Sequence, residues 1–262
     1  MAKSKIEWTH SVYNPVTGCT PISEGCANCY AKRMATRLKG RFGYPADDPF
    51  RVTFHPDRLE DPLHWHKPRH IFVSSMGDLF HEAVEDDWIH SILSVAISTY
   101  YGDHTYILLT KRPERMMQFK KYFTSKRIWL GVTAENQARA DERIPVLLEI
   151  PARMKFVSLE PLLHPINLED YLNGYGDGDH IGWVIAGCES GPGRRPAKIQ
   201  WFRDIKNQCV EAGVPFFLKQ IATEPPRMAG CEVGLPIWYE RFESKLIKMP
   251  SLDGRVWDQL PG

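Results

Sequence analysis

Short apolar runs alternate along this chain with longer segments, and the two kinds of segment differ in periodicity. The short runs are rich in β-branched and aromatic residues, which is typical of buried strands. In the longer segments apolar residues return at every third or fourth position, as on an amphipathic helix. The alternation predicts βα units around parallel strands. The predicted strands span residues 11–16, 70–74, 105–109, 128–132, 155–158, 183–186 and 215–218.

Five helices are predicted between these strands, at residues 27–39, 87–101, 113–122, 136–148 and 199–212. The last is followed by Gly213, a residue typical of helix C-termini. Several predicted strands are apolar throughout, as expected when helices cover both faces of a parallel sheet. We therefore predict an α/β fold, a partial or complete TIM-like β/α barrel of about six to eight parallel strands. A doubly wound open sheet is the main alternative.

Composition indicates one large globular domain. Of the 262 residues 43% are apolar and 25% are charged, which is ordinary for a folded protein. We predict a barrel domain at residues 1–222 and an irregular C-terminal extension, packed on the barrel, at residues 223–262. The 33 basic and 32 acidic residues give a net charge of +1. Any binding of nucleic acid must therefore depend on local basic patches.

The chain has no apolar run long enough to cross a bilayer, and its N-terminus lacks the apolar core of a secretory signal. Three of its six cysteines crowd into eleven residues, unlike the spread framework of a small secreted domain. These features predict a cytoplasmic protein without a membrane partner; they say nothing about its oligomeric state.

Polar and small residues follow each predicted strand, where ligands of β/α proteins bind. Taken singly, several of them could be helix caps or turn formers, and Lys111 and Arg112 could be solvated surface charges. Their shared placement instead predicts one polar site built from the whole barrel. The residues after the second to seventh strands that we expect there are Ser75, Asp78, Lys111, Thr133, Glu135, Asn136, Ser158, Glu160, Cys188, Glu189 and Lys219.

The first strand is followed by three cysteines, Cys19, Cys26 and Cys29. A CxxC pair with a third cysteine in the preceding loop can hold most of a metal or cluster coordination shell. A structural zinc ion would need a fourth ligand such as His10 or Cys188, and a CxxC redox pair would leave Cys19 without a role. Three cysteines with one open position predict a [4Fe–4S] cluster whose fourth iron binds another molecule.

This arrangement resembles the radical S-adenosylmethionine superfamily, in which three cysteines follow the first strand of a partial barrel. Cys-Ala-Asn-Cys-Tyr at residues 26–30 is similar to the corresponding segment of spore photoproduct lyase. The commonest spacing in that superfamily has three residues between the first two cysteines, whereas this chain has six. The resemblance implies a second cofactor, S-adenosyl-L-methionine, and a reductant protein as partner.

A resemblance to the phage Gp37/Gp68-like family, of the DUF5131 type, covers nearly the whole chain. It is carried by Ile-Glu-Trp-Thr-His near the N-terminus, Asn-Pro-Val-Thr-Gly-Cys ending at Cys19, Ser-Met-Gly-Asp-Leu-Phe-His from Ser75, Ser-Leu-Glu-Pro-Leu-Leu from Ser158 and Cys-Glu-Ser-Gly-Pro-Gly from Cys188. The activity of that family is poorly defined, so this resemblance implies kinship rather than a reaction.

The radical-enzyme resemblance implies roles for individual residues. Asp78, in the motif that begins at Ser75, would meet the methionine amino group, and Lys111 would meet its carboxylate. Tyr30 would pack near the cluster or line the cofactor pocket. Thr133, Glu135, Asn136 and Ser158 can supply the donors and acceptors that a ribose needs. Glu160, Glu189, Arg194, Arg195 and Lys219 would contact the substrate.

The reaction implied is one-electron cleavage of S-adenosyl-L-methionine to a 5′-deoxyadenosyl radical, which abstracts a substrate hydrogen. Cys188 could return a hydrogen atom to the product. A cysteine at such a position is nevertheless more often a small buried residue of the core. Basic pairs such as Lys32-Arg33, with nearby Phe42, Tyr44, Phe50 and Trp201, are compatible with a nucleobase or nucleic-acid substrate, or are merely solvated helix faces.

Two other classes of function remain open on the sequence alone. One is a zinc-stabilised nucleic-acid-binding protein without catalysis. The other is a metal-dependent hydrolase or nuclease with ligands among His64, His66, His70 and His81.

Overall fold

Eight strands form one sheet in the computed structural model, which describes residues 4, 6–98, 102–174, 179–222 and 246–261. Seven of them run parallel, and the eighth pairs antiparallel with its neighbour at the edge of the sheet. The sheet curls into a half-barrel flanked by helices, so the predicted TIM-like α/β architecture is confirmed in its partial form. In spatial order its strands are β1 (Ser11–Tyr13), β4 (His70–Val73), β5 (Thr105–Thr110), β6 (Ile128–Thr133), β7 (Met154–Leu159), β8 (Trp183–Gly187), β9 (Phe216–Ala222) and β10 (Leu246–Lys248).

Helices follow most of the parallel strands, as βα units require. They are α1 (Tyr30–Arg37), α2 (Asp86–Ile97), α3 (Pro113–Met117), α4 (Gln137–Leu148), α5 (Glu169–Leu172) and α6 (Ile199–Glu211). Two small antiparallel ribbons complete the fold, β2 (Val16–Thr17) with β3 (Thr53–Phe54) and β11 (Ser251–Leu252) with β12 (Arg255–Val256). Among the described residues no helix is both long and apolar enough to cross a membrane.

Alternate residues of the strands face two separate cores. One face packs against the helices through residues such as Ile71, Leu108 and Leu130. The other face is concave and is filled largely by aromatic rings, to which Trp8 adds its indole from the segment before β1. Gly131 leaves room for these aromatic rings, because a Cβ on Gly131 would lie 2.3 Å from the Phe156 ring. The members of the concave core are Trp8, Phe72, Ile107, Trp129, Phe156, Trp183, Ile185 and Phe217.

The structure differs from the sequence prediction where polar side chains interrupt a periodic segment. The first strand, predicted at 11–16, divides into β1 and β2 because Asn14 turns aside. Its side-chain oxygen accepts hydrogen bonds from the Ser75 hydroxyl, at 3.1 Å, and from the Met76 amide, at 3.2 Å. The helix predicted at 27–39 begins at Tyr30, since residues 24–28 form a 3₁₀ segment and a turn, which together with Cys29 precede the helix and contain Cys26.

Other differences lie at element ends. The helix predicted at 113–122 ends at Met117 and is followed by a 3₁₀ turn, Lys120–Tyr122. The helix predicted at 87–101 ends at Ile97, and residues 99–101 lie outside the described residues. Most of the predicted C-terminal extension, residues 223–245 with Cys231, lies outside them too. The remainder contributes β10, β11 and β12, which the prediction did not contain.

The two ends of the sheet are linked through residues far apart in the chain. Lys248 at the end of β10 donates to Glu7 Oε1 at 2.6 Å, in the segment that leads into β1. Ile6 and Met249 pack on the concave core beside this pair. The open side of the half-barrel is therefore bridged by this ion pair.

Candidate functional site

A cavity of about 390 Å³ opens at the C-terminal edge of the parallel strands. The residues predicted at the ends of β4 to β9 and the three cysteines after β1 meet there, although they come from separate parts of the chain. Four predicted residues, Glu135, Asn136, Arg194 and Arg195, do not line it. Those that do are Cys19, Cys26, Cys29, Tyr30, Ser75, Asp78, Lys111, Thr133, Ser158, Glu160, Cys188, Glu189 and Lys219.

The loop that carries the cysteines is positioned first by its backbone. The Gly18 amide donates to the Met76 carbonyl at 3.0 Å, and Gly18 pairs with Gly77 in a bridge that extends the β1–β4 pairing. Gly18 has φ +88°, and a Cβ on it would lie 2.2 Å from the Arg51 carbonyl oxygen. Only glycine fits such a crossing, because it tolerates positive φ and close backbone approach. The loop therefore starts from a fixed point, one residue before Cys19.

All three cysteines are free thiols with partly exposed side chains. Two of them contact a cation that follows β5. Arg112 Nη1 lies 3.5 Å from Cys19 Sγ, and Lys111 Nζ lies 3.7 Å from Cys26 Sγ. Positive charge at these distances favours the thiolate, which is the form that ligates metals and clusters.

The two thiols differ in acidity. Burial and the nearby Asp78 carboxylate raise the pKa of Cys19 to about 12, in spite of Arg112. Burial also acts to raise the pKa of Cys26, but the Lys111 ammonium and hydrogen bonds from the Ile22 and Ser23 backbone outweigh it and lower that pKa. Cys26 is therefore the more readily ionised of the two.

Glu135 lies directly beneath the cysteine loop and is completely buried. Its Oε1 accepts a hydrogen bond from Ser23 Oγ at 2.6 Å and pairs with Lys111, while its Oε2 lies 3.0 Å from Arg143 Nη1. Burial acts to raise the pKa of Glu135, but the charges of Lys111 and Arg143 lower it below its ordinary value. One buried carboxylate thus fixes both the loop, through Ser23, and the cation beside Cys26.

Asp78 plays a matching part under Cys19. Its Oδ1 accepts from Thr110 Oγ1 at 2.7 Å and from the Phe80 amide at 3.0 Å. Its Oδ2 lies 3.1 Å from Arg112 Nη1 and 3.3 Å from the Lys111 amide. Both oxygens are already engaged by protein donors, so Asp78 orients Arg112 toward Cys19.

Two further carboxylates fasten the loop from outside. Glu189, after β8, accepts from Asn28 Nδ2 at 2.8 Å, and Asn28 lies between Cys26 and Cys29. Arg195 completes this cluster: its backbone amide donates to Glu189 Oε2 at 2.7 Å, and its guanidinium Nη2 donates to the Glu24 carbonyl at 2.8 Å. Burial acts to raise the pKa of Glu189, but the hydrogen bonds from Arg195 and Asn28 lower it.

Glu24 supplies the second outer attachment. Its carboxylate lies 3.1 Å from Arg139 Nε and accepts from Asn136 Nδ2 at 2.9 Å. Asn136 also caps α4, since its Oδ1 accepts from the Arg139 amide at 3.0 Å. The structure therefore places Asn136 at the rim, where it caps a helix and holds Glu24.

The opposite wall of the cavity contains the predicted substrate groups. Lys219 Nζ lies 2.9 Å from Glu160 Oε1, and Ser158 Oγ donates to Glu160 Oε2 at 3.4 Å. Cys188 is buried beside them, its Sγ 3.4 Å from the Glu189 carbonyl oxygen. Burial, with the Glu160 and Glu189 charges, raises the pKa of Cys188 to about 12, so this thiol is protonated at neutral pH.

Three remaining predicted residues lie around the mouth. The Tyr30 hydroxyl donates to the Ser75 carbonyl, which ties the start of α1 to the end of β4. The Ser75 hydroxyl is used by Asn14, and the Thr133 carbonyl accepts from Arg143 Nη1 at 2.7 Å. The Thr133 hydroxyl, on the inner face of β6, is available to a ligand of the cavity.

The histidines considered as metal ligands are not gathered at one place. His64 and His66 are exposed, His70 begins β4, and His81 follows the opposite end of that strand. His81 Nε2 lies 2.8 Å from Thr20 Oγ1, and burial, with the Arg112 charge, lowers the pKa of His81. In the part of the chain that the structure describes, no three His, Cys, Asp or Glu side chains converge as the ligands of a single metal ion.

A basic surface adjoins the mouth along α1 and the turn after it. Phe42 is 72% exposed there, whereas Tyr44 is buried. Arg33 donates to the Ser190 carbonyl at 2.7 Å, which brings this surface against the loop after β8. Residues 30–46 contain no acid and five cations, Lys32, Arg33, Arg37, Lys39 and Arg41.

Comparison with known families gives one match. Residues 3–261 match the family described as "Protein of unknown function (DUF5131)". The chain belongs to the DUF5131 family. Because this match spans almost the full sequence, the region matched includes the cysteine loop, the barrel, and Glu24 and Glu189, which attach the loop from outside. No curated protein and no solved structure gave a significant match.

Several residues that organise the site of this DUF5131 chain were not predicted from its sequence. Ser23 and Asn28 looked like ordinary loop residues, and Arg143 lies within an amphipathic helix whose buried face is otherwise apolar. Arg112 was considered a possible surface charge, yet it is 5% exposed. Of these residues, only Arg143 could have been identified from the sequence, because it is a charged residue at a core position of the helical repeat.

Proposed function

We propose that this DUF5131 chain is a radical S-adenosylmethionine enzyme with a [4Fe–4S] cluster on Cys19, Cys26 and Cys29. The observation that carries the proposal is that all three free thiols line one cavity at the ends of the parallel strands, with Arg112 and Lys111 beside two of them. A three-cysteine set with an adjoining cavity suits a cluster that shares one iron with a bound molecule.

The donor set fits this group on two counts. A cluster is larger than one metal ion and spaces its ligands more widely, in keeping with thiols that share a cavity wall without converging on a single point. Lys111 and Arg112 supply positive charge where thiolates and an anionic cluster require it, and Glu135 and Asp78 hold those cations in place.

When bound, the cluster would supply the electron that cleaves S-adenosyl-L-methionine to methionine and a hydrogen-abstracting 5′-deoxyadenosyl radical. The chain's own contribution is to position and to exclude water. Ser158 and Thr133 present hydroxyls to the cavity, and the aromatic concave core closes it from below. Asp78 acts in this scheme as a positioning residue, because its oxygens are occupied by Thr110, Phe80, Lys111 and Arg112.

For the substrate we propose a nucleobase, free or in a nucleic acid. Support comes from the acid-free basic surface beside the mouth, which can hold phosphates outside the cavity, and from the exposed ring of Phe42 on it. Glu160 and Lys219 lie on the substrate side in this proposal, and Cys188 keeps the proton that a hydrogen-atom donor needs. A reductant protein and a cytoplasmic location belong to the same proposal.

Anaerobic reconstitution tests the cluster. The full chain should bind about four irons with matching sulfide, as a single [4Fe–4S] group requires, and should release 5′-deoxyadenosine when reduced with S-adenosyl-L-methionine. Cys26→Ala should lose the iron, while Cys209→Ala, which removes a buried thiol from α6, should keep it. Stoichiometric zinc in place of iron, or full iron in Cys26→Ala, would refute the proposal.

A further inference from the structure

Three polar atoms in the cavity lining have no partner among the described residues. They are the Trp8 indole nitrogen Nε1, the Ser74 hydroxyl and Glu7 Oε2. Trp8 is 2% exposed and Ser74 4% exposed, so bulk water does not satisfy their polar atoms. The other buried unpaired side-chain atoms of the described chain belong to residues away from this cavity. A buried donor or acceptor without a partner is costly, and its position beside a cavity indicates a ligand.

The three atoms lie on adjoining elements of one wall. Glu7 and Trp8 are consecutive in the segment before β1, and Ser74 follows β4, the neighbour of β1 in the sheet. The Trp8 ring packs against Phe72 at an interplanar angle of 55°, with ring centroids 4.8 Å apart. This wall therefore offers an aromatic floor with an N–H donor, a hydroxyl and a carboxylate oxygen around it.

Charge on this side of the cavity is compensated. Glu7 pairs with Lys248 at 2.6 Å, and Glu160 pairs with Lys219 at 2.9 Å. An anionic ligand would find no unpaired cation in this wall, whereas a neutral ring needs none. Among the described residues, Arg33 and Arg41 bond backbone carbonyls and lie outside the cavity, on the basic surface of α1 and the turn after it.

We infer that Glu7, Trp8 and Ser74 form a recognition wall for one neutral nucleobase, inserted ring-first while its phosphates stay outside. A nucleobase is a flat ring with both N–H donors and acceptors on its edge. Glu7 Oε2 would accept from a base N–H, the Trp8 indole would donate to a ring nitrogen or carbonyl oxygen, and Ser74 can do either. The inference rests on the proposed function for the role of the base as substrate, but its binding can be measured separately.

The test is calorimetric titration of the folded full chain with adenosine, guanosine, cytidine and thymidine. At least one nucleoside should bind, and Trp8→Phe, which keeps an aromatic ring but removes the indole N–H, should weaken that binding about 3- to 10-fold. Ser74→Ala should weaken it by a similar factor and serves if Trp8→Phe folds poorly. Trp257→Phe should leave it within about twofold, because that indole already donates to the Leu252 carbonyl.

The remaining outcomes either overturn the inference or separate it from the proposed function. Absence of nucleoside binding at millimolar concentration overturns the inference, as does binding that neither variant changes. Variants that weaken S-adenosyl-L-methionine binding but not nucleoside binding assign the wall to that cofactor and overturn it as well. If Trp8→Phe weakens nucleoside binding while no cluster forms and no 5′-deoxyadenosine is released, the inference is supported and the proposed radical chemistry is refuted.

Discussion

Replacing Glu135 by Gln should destabilise the protein strongly, although the change is isosteric. The Glu135 carboxylate is 0% exposed and faces two cations, Lys111 and Arg143. The Arg143 side chain is 1% exposed and cannot turn to water. Removing one partner of such a buried ionic group costs about 3–5 kcal/mol, because the remaining charge is left uncompensated. Gln can still accept from Ser23, so we expect a loss near 3 kcal/mol, the lower end of that range.

Thermal unfolding followed by circular dichroism measures this loss. A change of 1 kcal/mol shifts the midpoint by about 2–4 °C in a domain of this size, so Glu135→Gln should melt roughly 6–12 °C lower. Glu142→Gln is the matched control, with the same charge change on the adjoining helix. The Glu142 side chain is 47% exposed, pairs at the surface with Arg139 at 2.6 Å and approaches Arg143 Nε only to 4.0 Å, so its loss should cost under about 1 kcal/mol.

The pH dependence of stability is a second test of the role of Glu135. The folded-state pKa of Glu135 lies below its ordinary value of 4.5. The stabilisation by this carboxylate is therefore complete above about pH 4.5 and is lost as pH falls through the folded-state pKa. The gap between wild type and Glu135→Gln should be constant near neutral pH and narrow in acid. Equal melting temperatures for Glu135→Gln and Glu142→Gln at pH 7 would show that Glu135 does not hold the two cations.

Two further predictions concern thiol acidity and packing. At pH 7 iodoacetamide should alkylate Cys26 of the cluster-free chain before Cys19, because the pKa of Cys26 is lowered and that of Cys19 is raised to about 12; mass spectrometry gives the order, and faster labelling of Cys19 would contradict it. Gly131→Ala should cost about 1–3 kcal/mol in denaturant unfolding, since its Cβ would meet the Phe156 ring at 2.3 Å. Gly182→Ala, whose Cβ would meet a flexible methionine at 3.0 Å, should cost less, and equal losses would count against a rigid aromatic core.

Hydrophobic periodicity was sufficient to predict the parallel sheet, because its strands are short apolar runs and most of them are followed by a helix. It could not predict β10, a three-residue edge strand with no buried residue and no apolar run of its own. It also missed the division of the first strand at Asn14, because the partners that turn Asn14 aside, Ser75 and Met76, lie about sixty positions away. Such contacts leave no signal in local periodicity.

The sequence was sufficient to predict most residues of the candidate site, but not the hydrogen bonds and ion pairs between them. Strand ends converge in any β/α barrel, so polar residues that follow strands were expected to meet. Which of them contact the ligand depends on hydrogen bonds that span the chain. Asp78 is saturated by protein donors and Asn136 caps α4, whereas Glu135 supports the site from beneath.

The six residues between Cys19 and Cys26 show why spacing alone is a poor guide. Ser23 and Glu24 fall in this gap and are the residues that attach the loop to Glu135 and Arg139. The long gap is therefore a structured attachment to the barrel, which a three-residue gap would have no room to make.

The ion pair between Glu7 and Lys248 has a consequence for how the protein is made. Its partners are 241 positions apart, so the ribosome delivers the second long after the first. At about 5–20 residues per second that delay is roughly 12–48 seconds. The three cysteines are made early in this interval, whereas Glu135, Arg139 and Glu189, which attach their loop, are made later. The ion pair that joins the two edges of the half-barrel is therefore completed only after all seven parallel strands have been made.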